Sequence, residues 1–275
     1  MMDISSKVKL NNGVEMPWLG LGVFRSEDGP EVENAVKTAL EHGYRSIDTA
    51  AIYHNEKGVG KAIHESVVPR EEIFLTSKVW NSEQGYNSTM AAFEASLEKL
   101  QTSYLDLYLI HWPKGKKSVE TWKAMEELHK KGKIRAIGIS NFLVHHIEDF
   151  ILECEILPAV NQVEFQPELL QQELLDYCKG KGIQMEAWSP IMKGRVNDIP
   201  VIKEIAAKYN KTPVQVTLRW EIQRGIVAIP KSVHAERIVS NADIFDFELT
   251  PEDMEKINQL DKNQRIGFHP DSIPF

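Results

Sequence analysis

The sequence predicts an α/β fold, a (β/α)8 TIM barrel with an N-terminal β-hairpin capping the bottom of the barrel. Three observations predict it. Strand-like and helix-like segments alternate along the chain, as repeated βα units do. Eight strand-like segments follow the hairpin, the number that closes such a barrel. Several of them are nearly continuous apolar runs, the pattern of strands covered on both faces. An open dinucleotide-binding sheet is disfavoured, because no G-x-G-x-x-G turn follows an early strand. The "GLG" at Gly20–Gly22 is too short for that fingerprint.

Taken in order, "VKLNNGVEMP" places an Asn-Gly turn between short apolar runs, a strong hairpin signal. The eight barrel strands are "WLGLGVF", "RSIDTA", "IFLTSKV", "LDLYLIHW", "IRAIGISN", "AVNQVEF", "IQMEAWSP" and "IVAIPKS". Helices lie between them. "PEVENAVKTALEHG" carries Val32, Ala35, Val36, Ala39 and Leu40 at helical spacing and closes at Gly43. "TMAAFEASLEKL", "VETWKAMEELHKKG" and "TPVQVTLRWEIQRG" have the same periodicity, the last two with a C-terminal Gly stop. No linker or low-complexity segment interrupts the pattern, so residues 1–275 are expected to form a single barrel domain.

Composition narrows the function classes. Of 275 residues, 42% are hydrophobic and 26% charged, a balance suited to a soluble protein with a large core. No apolar run approaches the ~18 residues of a membrane span, and "MMDISSKVKLNNG" lacks an apolar signal-peptide core. A cytoplasmic protein is expected, with Cys154 and Cys178 as reduced thiols lacking metal-ligand spacing. No metal site is expected. The net charge of −8 argues against a nucleic-acid partner, but a local cluster of cations can still hold one small anion. The expected state is a monomer.

In a barrel of this kind, chemistry gathers at the C-terminal ends of the strands. Asp48 ends the second strand, with Tyr53 in the loop beyond it. Lys78 ends "FLTSK" and His111 ends "LYLIH". Singly, each has an ordinary structural role: a cap, a rim phenol, a snorkelling lysine, a core histidine. Together they put a carboxylate, a phenol, an ammonium and an imidazole at one mouth. A phenol with a pKa near 10 is a poor acid at neutral pH. An adjacent ammonium stabilises its phenolate and is expected to bring the pKa below that value. A buried ammonium needs a carboxylate partner, and an imidazole can orient a carbonyl oxygen.

These motifs resemble the aldo-keto reductase family, in the expected order over nearly the whole chain. The residues that carry the resemblance are "GYRSIDTAAIYHNE", "TSKVW", "LIHWP", "GISNF", "NQVEFQP", "AWSPI" and "IPKS". The short connection "WPKGKKSVETW" and short tail "NQRIGFHPDSIPF" resemble microbial members that act on glyoxal, methylglyoxal and diketogluconate. The resemblance implies reduction of aldehydes and ketones by NADPH, with NADH weaker. It makes Tyr53 the general acid, tuned by Lys78 and Asp48, and makes His111 the group that orients the substrate. It implies cofactor contacts from Gly22, Val23, Phe24, Asp48, Ser140, Asn141, Gln162, Trp188, Ser189, Pro190 and Ile191. Lys231, Ser232, Val233, Arg237 and Asn241 would meet the adenosine phosphate. One departure is Ser240, where many relatives carry Glu on the adenine side.

Phe24, Trp80 and Trp112 follow three strand ends and, with Tyr53 and His111, are expected to line an aromatic substrate pocket. Lys114, Lys116 and Lys117 are expected in a solvated turn. Two other readings stand beside the reductase. One is a nucleotide-sensing regulatory subunit of the same fold with little metabolic activity. The other is a barrel glycosidase, which needs two strand-end carboxylates. Glu164 and Glu186 lie on neighbouring strands, but packing roles are expected for them.

Overall fold

The computed structural model describes residues 2–273; Met1 and the last two residues of the tail, Pro274 and Phe275, lie outside the described residues. The Asn-Gly segment forms the expected hairpin, with β1 (Lys7–Lys9) antiparallel to β2 (Glu15–Pro17) and Gly13 at φ 85° in the turn. Leu10 and Met16 pack on Phe74, Leu107, Ala136 and Val160, apolar residues of the barrel's lower interior. Asn11 and Asn12 donate to the carbonyls of Pro158 and Arg135, which fastens the hairpin across the bottom.

Eight parallel strands follow: β3 (Leu21–Gly22), β4 (Ser46–Asp48), β5 (Phe74–Val79), β6 (Leu105–Ile110), β7 (Ile134–Ser140), β8 (Val160–Glu164), β9 (Gln184–Trp188) and β10 (Val227–Ala228). Each pairs with the next in chain order. Parallel bridges from Leu19 to Ala228 and from Gly22 to Lys231 close the ring. Glycine is required at this seam, since a Cβ on Gly22 would lie 2.9 Å from the Ile229 carbonyl oxygen.

The helices between strands are α1 (Pro30–Glu41), α2 (Glu56–His64), α3 (Tyr86–Leu100), α4 (Lys116–Lys130), α5 (Val144–Ile151) and α6 (Gln172–Lys181). After β9 come α7 (Pro200–Tyr209) and α8 (Pro213–Gln223), and after β10 come α9 (Ala235–Ala242) and α10 (Pro251–Asn258). The four periodic segments read from sequence all lie in helices, and the expected stops Gly43, Gly132 and Gly225 have positive φ. Alternate strand residues divide the interior. Tyr108 and Ile110 face the helices, while Leu107 and Leu109 join the apolar plug inside the barrel. No helix among the described residues is long and apolar enough to cross a membrane.

Candidate active site

Above the apolar plug the barrel interior turns polar. Lys78, at the end of β5, is fully buried and donates from Nζ to Asp48 Oδ1 at 2.6 Å and to the Thr49 carbonyl at 2.9 Å. A longer contact of 3.4 Å reaches Tyr53 Oη. Burial penalises the ammonium, but the Asp48 carboxylate and the other groups around it outweigh that and hold the Lys78 pKa above its ordinary value. Lys78 is therefore a cation locked beneath the phenol.

Tyr53 ends a 3-10 turn, Ala51–Tyr53, that begins three residues after β4. Asn55 fixes this turn, a role the sequence reading missed. Its side chain is buried, accepts from Thr49 Oγ1 at 2.7 Å and donates to the carbonyls of Val23 and Ser26. It thereby ties the Tyr53 loop to the Phe24 loop. The signal lay inside the quoted motif, as an Asn where the chain must turn.

The expected direction of the Tyr53 shift is corrected here. Desolvation is the largest influence and raises the phenol pKa, Lys78 lowers it, and Asp48 raises it again. The net direction is upward, because desolvation outweighs the ammonium, whose effect on the phenol Asp48 partly offsets. His111 packs edge-on against Tyr53 and Trp80, with ring centroids 5.7 Å and 5.1 Å away. Burial and the nearby Lys78 push its pKa well down, so the imidazole is neutral. Its Nδ1 has no hydrogen-bond partner among the described residues.

Phe24 is 53% exposed and leans on Tyr53 at 4.9 Å, so Phe24, Tyr53, Trp80 and His111 form one aromatic wall. Trp112 is buried, and its carbonyl accepts from Gln84 Nε2. Lys114, Lys116 and Lys117 are exposed, as expected, but Lys116 and Lys117 form the start of α4 rather than a turn.

The strand ends beside the tetrad form a connected polar network. Trp188 Nε1 donates to Asn141 Oδ1 at 2.8 Å, and Asn141 Nδ2 donates to Ser140 Oγ and to the His111 carbonyl. Ser140 Oγ donates to the Gln162 carbonyl. Gln162 Nε2 donates to Asp48 Oδ2 at 2.8 Å and to Glu186 Oε2 at 2.7 Å. With its amide nitrogen committed to the two acids, Gln162 has Oε1 as its remaining acceptor. Asn141 and Ser189 both hold left-handed backbone, at φ 64° and 54°, so the chain turns sharply just past β7 and β9. Pro190 is buried and Ile191 half-buried in the second of these turns.

A second locus lies across the barrel seam. Lys231 bridges to Gly22, and Val23 donates its N–H to the Asp48 carbonyl. Ser232 is nearly buried and accepts from the His234 N–H just before α9. Val233 is half-buried, Asn241 is buried, and Lys231 and Arg237 are exposed cations. Neither cation is in an ion pair among the described residues. A helix start flanked by two uncommitted cations suits a phosphate dianion. An amide acceptor, a half-buried indole and a glycine seam suit a nicotinamide and its linker. The residues present therefore fit a nicotinamide dinucleotide with an extra phosphate. Ser240, at the departure noted above, offers its carbonyl to Gln215 Nε2.

Glu164 and Glu186 do more than pack. Glu164 accepts from the backbone N–H groups of Ile266 and Gly267 in the tail, and Glu186 accepts from Gln162 Nε2. Both are engaged by neighbouring groups, an arrangement unlike an acid and nucleophile pair facing a sugar.

Comparison with known proteins gives the family of the chain. Residues 18–262 match the Aldo/keto reductase family. The chain is 61% identical over 272 residues to "Glyoxal reductase" of Bacillus subtilis (strain 168), covering 99% of each chain. Among solved structures, MGS-M4, an aldo-keto reductase from a Medee basin deep-sea metagenome library, superposes with a TM-score of 0.96 at 48% identity, covering 98% of this chain and 100% of that one. A Bombyx mori aldo-keto reductase in complex with NADP superposes with a TM-score of 0.90 at 37% identity, covering 98% and 97%. The chain belongs to the Aldo/keto reductase family.

Proposed function

We propose that this protein reduces small aldehydes and ketones to alcohols with NADPH, using Tyr53 as the proton donor. One observation carries the reading: a neutral His111 and a buried Lys78–Asp48 pair flank the same phenol. Trp188, Asn141, Lys231 and Arg237 would hold NADPH, which would supply the hydride taken up by the carbonyl carbon. Tyr53 Oη gives its proton to the carbonyl oxygen, so the aldehyde or ketone becomes an alcohol. Lys78 stabilises the phenolate left behind, Asp48 keeps Lys78 charged and in place, and neutral His111 orients the oxygen. Phe24, Trp80 and Trp112 exclude water around a small substrate. Ser140, Asn141 and Gln162 hold the carboxamide, and Lys231 and Arg237 favour NADPH over NADH.

The substrates proposed are α-dicarbonyls such as glyoxal and methylglyoxal, keto-sugar acids such as 2,5-diketogluconate, and simple aldehydes. The similarity to a glyoxal reductase supports the first of these. The working unit proposed is one barrel domain acting as a monomer. The test is Tyr53→Phe assayed on a panel of small carbonyls by loss of NADPH absorbance. Turnover is expected to fall by several orders of magnitude while NADPH affinity, read by fluorescence quenching, stays near that of the natural protein. Near-normal turnover would overturn the assignment of the acid.

A further inference from the structure

The polar floor of the barrel holds one ammonium and two carboxyl groups. β8 and β9 are parallel with Gln162 directly opposite Glu186, so both side chains occupy the inner face. The single amide nitrogen of Gln162 serves both acids, Asp48 at 2.8 Å and Glu186 at 2.7 Å. The two carboxyl groups therefore sit within the reach of one NH2. Lys78 directs its hydrogen bonds to Asp48, Thr49 and Tyr53, and none goes to Glu186. Glu186 is fully buried and its Oε1 has no partner among the described residues. On its other flank, β10 presents Val227, apolar and fully buried. The charged or titratable groups facing Glu186 are thus Asp48 from β4, Lys78 from β5 and Tyr53 from the loop after β4. Two buried carboxylates against one ammonium would leave an uncompensated charge in a dry interior, which costs several kcal/mol.

We propose that Glu186 is a positioning residue for carbonyl reduction: as a neutral carboxylic acid it fixes the Gln162 amide and leaves Asp48 as the single anion paired with Lys78. The proposal builds on the reading of Tyr53 as proton donor and adds a group to its surroundings. Desolvation and the Asp48 charge push the Glu186 carboxyl up to about 8, so it keeps its proton at neutral pH and loses it in mild alkali. Once ionised, Glu186 adds a negative charge that disfavours the phenolate and raises the Tyr53 pKa. The acid that protonates the substrate is thereby kept in its protonated form further into alkali.

The experiment compares Glu186→Gln with Glu186→Met. Gln keeps the shape and an acceptor oxygen but cannot ionise; Met keeps the length and loses the acceptor. The alkaline limb of carbonyl reduction in Glu186→Gln is expected about one pH unit below that of the natural protein. Glu186→Met is expected to bind NADPH about three- to tenfold more weakly, by fluorescence quenching, because Gln162 is released from one side. Glu186→Gln should restore most of that affinity and more of the turnover. An infrared difference spectrum between about pH 6 and about pH 10 should show loss of a carboxylic-acid C=O band in the natural protein that is missing from Glu186→Gln, any band of the buried Glu221 carboxyl being common to both. An unmoved alkaline limb, or a Gln variant as impaired as the Met variant, overturns the proposal. If neither variant folds, the spectrum of Glu221→Gln, which removes the other buried carboxyl, decides, and absence of a titrating band there overturns the proposal. The band and the NADPH affinities do not depend on Tyr53, so failure of the Tyr53 reading would be seen separately.

Discussion

Tyr53 and Lys78 act on each other directly, 3.4 Å apart, and the balance of burial and charge decides the pH range of the chemistry. Burial raises the phenol and the ammonium lowers it, with burial the larger. The alkaline limb of reduction is therefore expected above the free-phenol value of about 10, and alcohol oxidation should rise over the same range. A limb well below 10, with a deuterium isotope effect showing hydride transfer to be rate-limiting, would contradict this. At the phosphate locus, Lys231→Ala or Arg237→Ala should weaken NADPH by roughly 1.5–3 kcal/mol each, with little change for NADH; equal losses in both titrations would sever these cations from the phosphate. The tetrad was legible because four chemically distinct residues fell at strand ends on one face of a barrel. Glu186 was not, because an acid at an inward-pointing position looks the same in sequence whether it meets an apolar plug or a polar floor. The height at which the filling changes from Leu107 and Leu109 to Gln162 and Glu186 is set by all eight strands together. The Tyr53 shift was misjudged for a related reason: proximity of an ammonium can be read from spacing, and desolvation cannot.

Elements are held to one another by a few buried polar groups as well as by the core. Asp253, in the first turn of α10, is buried and accepts from Lys208 Nζ and Tyr209 Oη of α7 and from the Thr250 cap. Despite the opposing cost of burial, these bonds bring its pKa down to about 2 from 3.8. A depressed carboxyl pKa stabilises the folded state above the unfolded value and loses that stabilisation as pH falls through the folded value. Asp253→Asn should therefore cost about 1–2 kcal/mol near neutrality, allowing for the half-exposed Lys208. The deficit should shrink as pH falls from about 4 toward about 2. Urea titrations at three pH values would check this, and a pH-independent deficit would refute the ionic origin. The order and type of elements were readable from periodicity, whereas strand lengths were overestimated at the seam. "WLGLGVF" yields only Leu21–Gly22 and "IVAIPKS" only Val227–Ala228 as regular strand. Gly20 there admits the Ser46 side chain and Gly22 the Ile229 carbonyl, and Pro230 has no N–H for the ladder, so regular pairing gives way to isolated bridges.

Across the whole molecule, the tail reconnects the end of the chain with the middle of the barrel. After α10, the N–H groups of Lys262 and Gln264 donate to the Glu168 carbonyl, and Arg265 reaches Gln171. Ile266 and Gly267 then donate to the two oxygens of Glu164 at 2.6 Å and 3.0 Å. Gly267 lies so close to Trp188 that a Cβ there would come within 2.4 Å of the indole. Beyond it, Asp271 meets His145 and His146 at the start of α5. The tail thus joins the turns after β7, β8 and β9, the sector that carries Asn141, Gln162 and Trp188. Its main anchor is one buried carboxylate receiving two backbone N–H groups, each a charge-assisted bond of roughly 1.5–3 kcal/mol. Glu164→Ala removes both bonds and leaves these N–H groups to water, so residues 262–273 should detach while the barrel strands stay folded. Hydrogen exchange in that segment is expected to accelerate by at least an order of magnitude, with exchange in β5 and β6 nearly unchanged. Because Gly267 abuts Trp188, the indole fluorescence should also shift toward that of a more solvated ring. Unchanged exchange across 262–273 would mean that the contacts of Lys262, Arg265 and Asp271 hold the tail without Glu164.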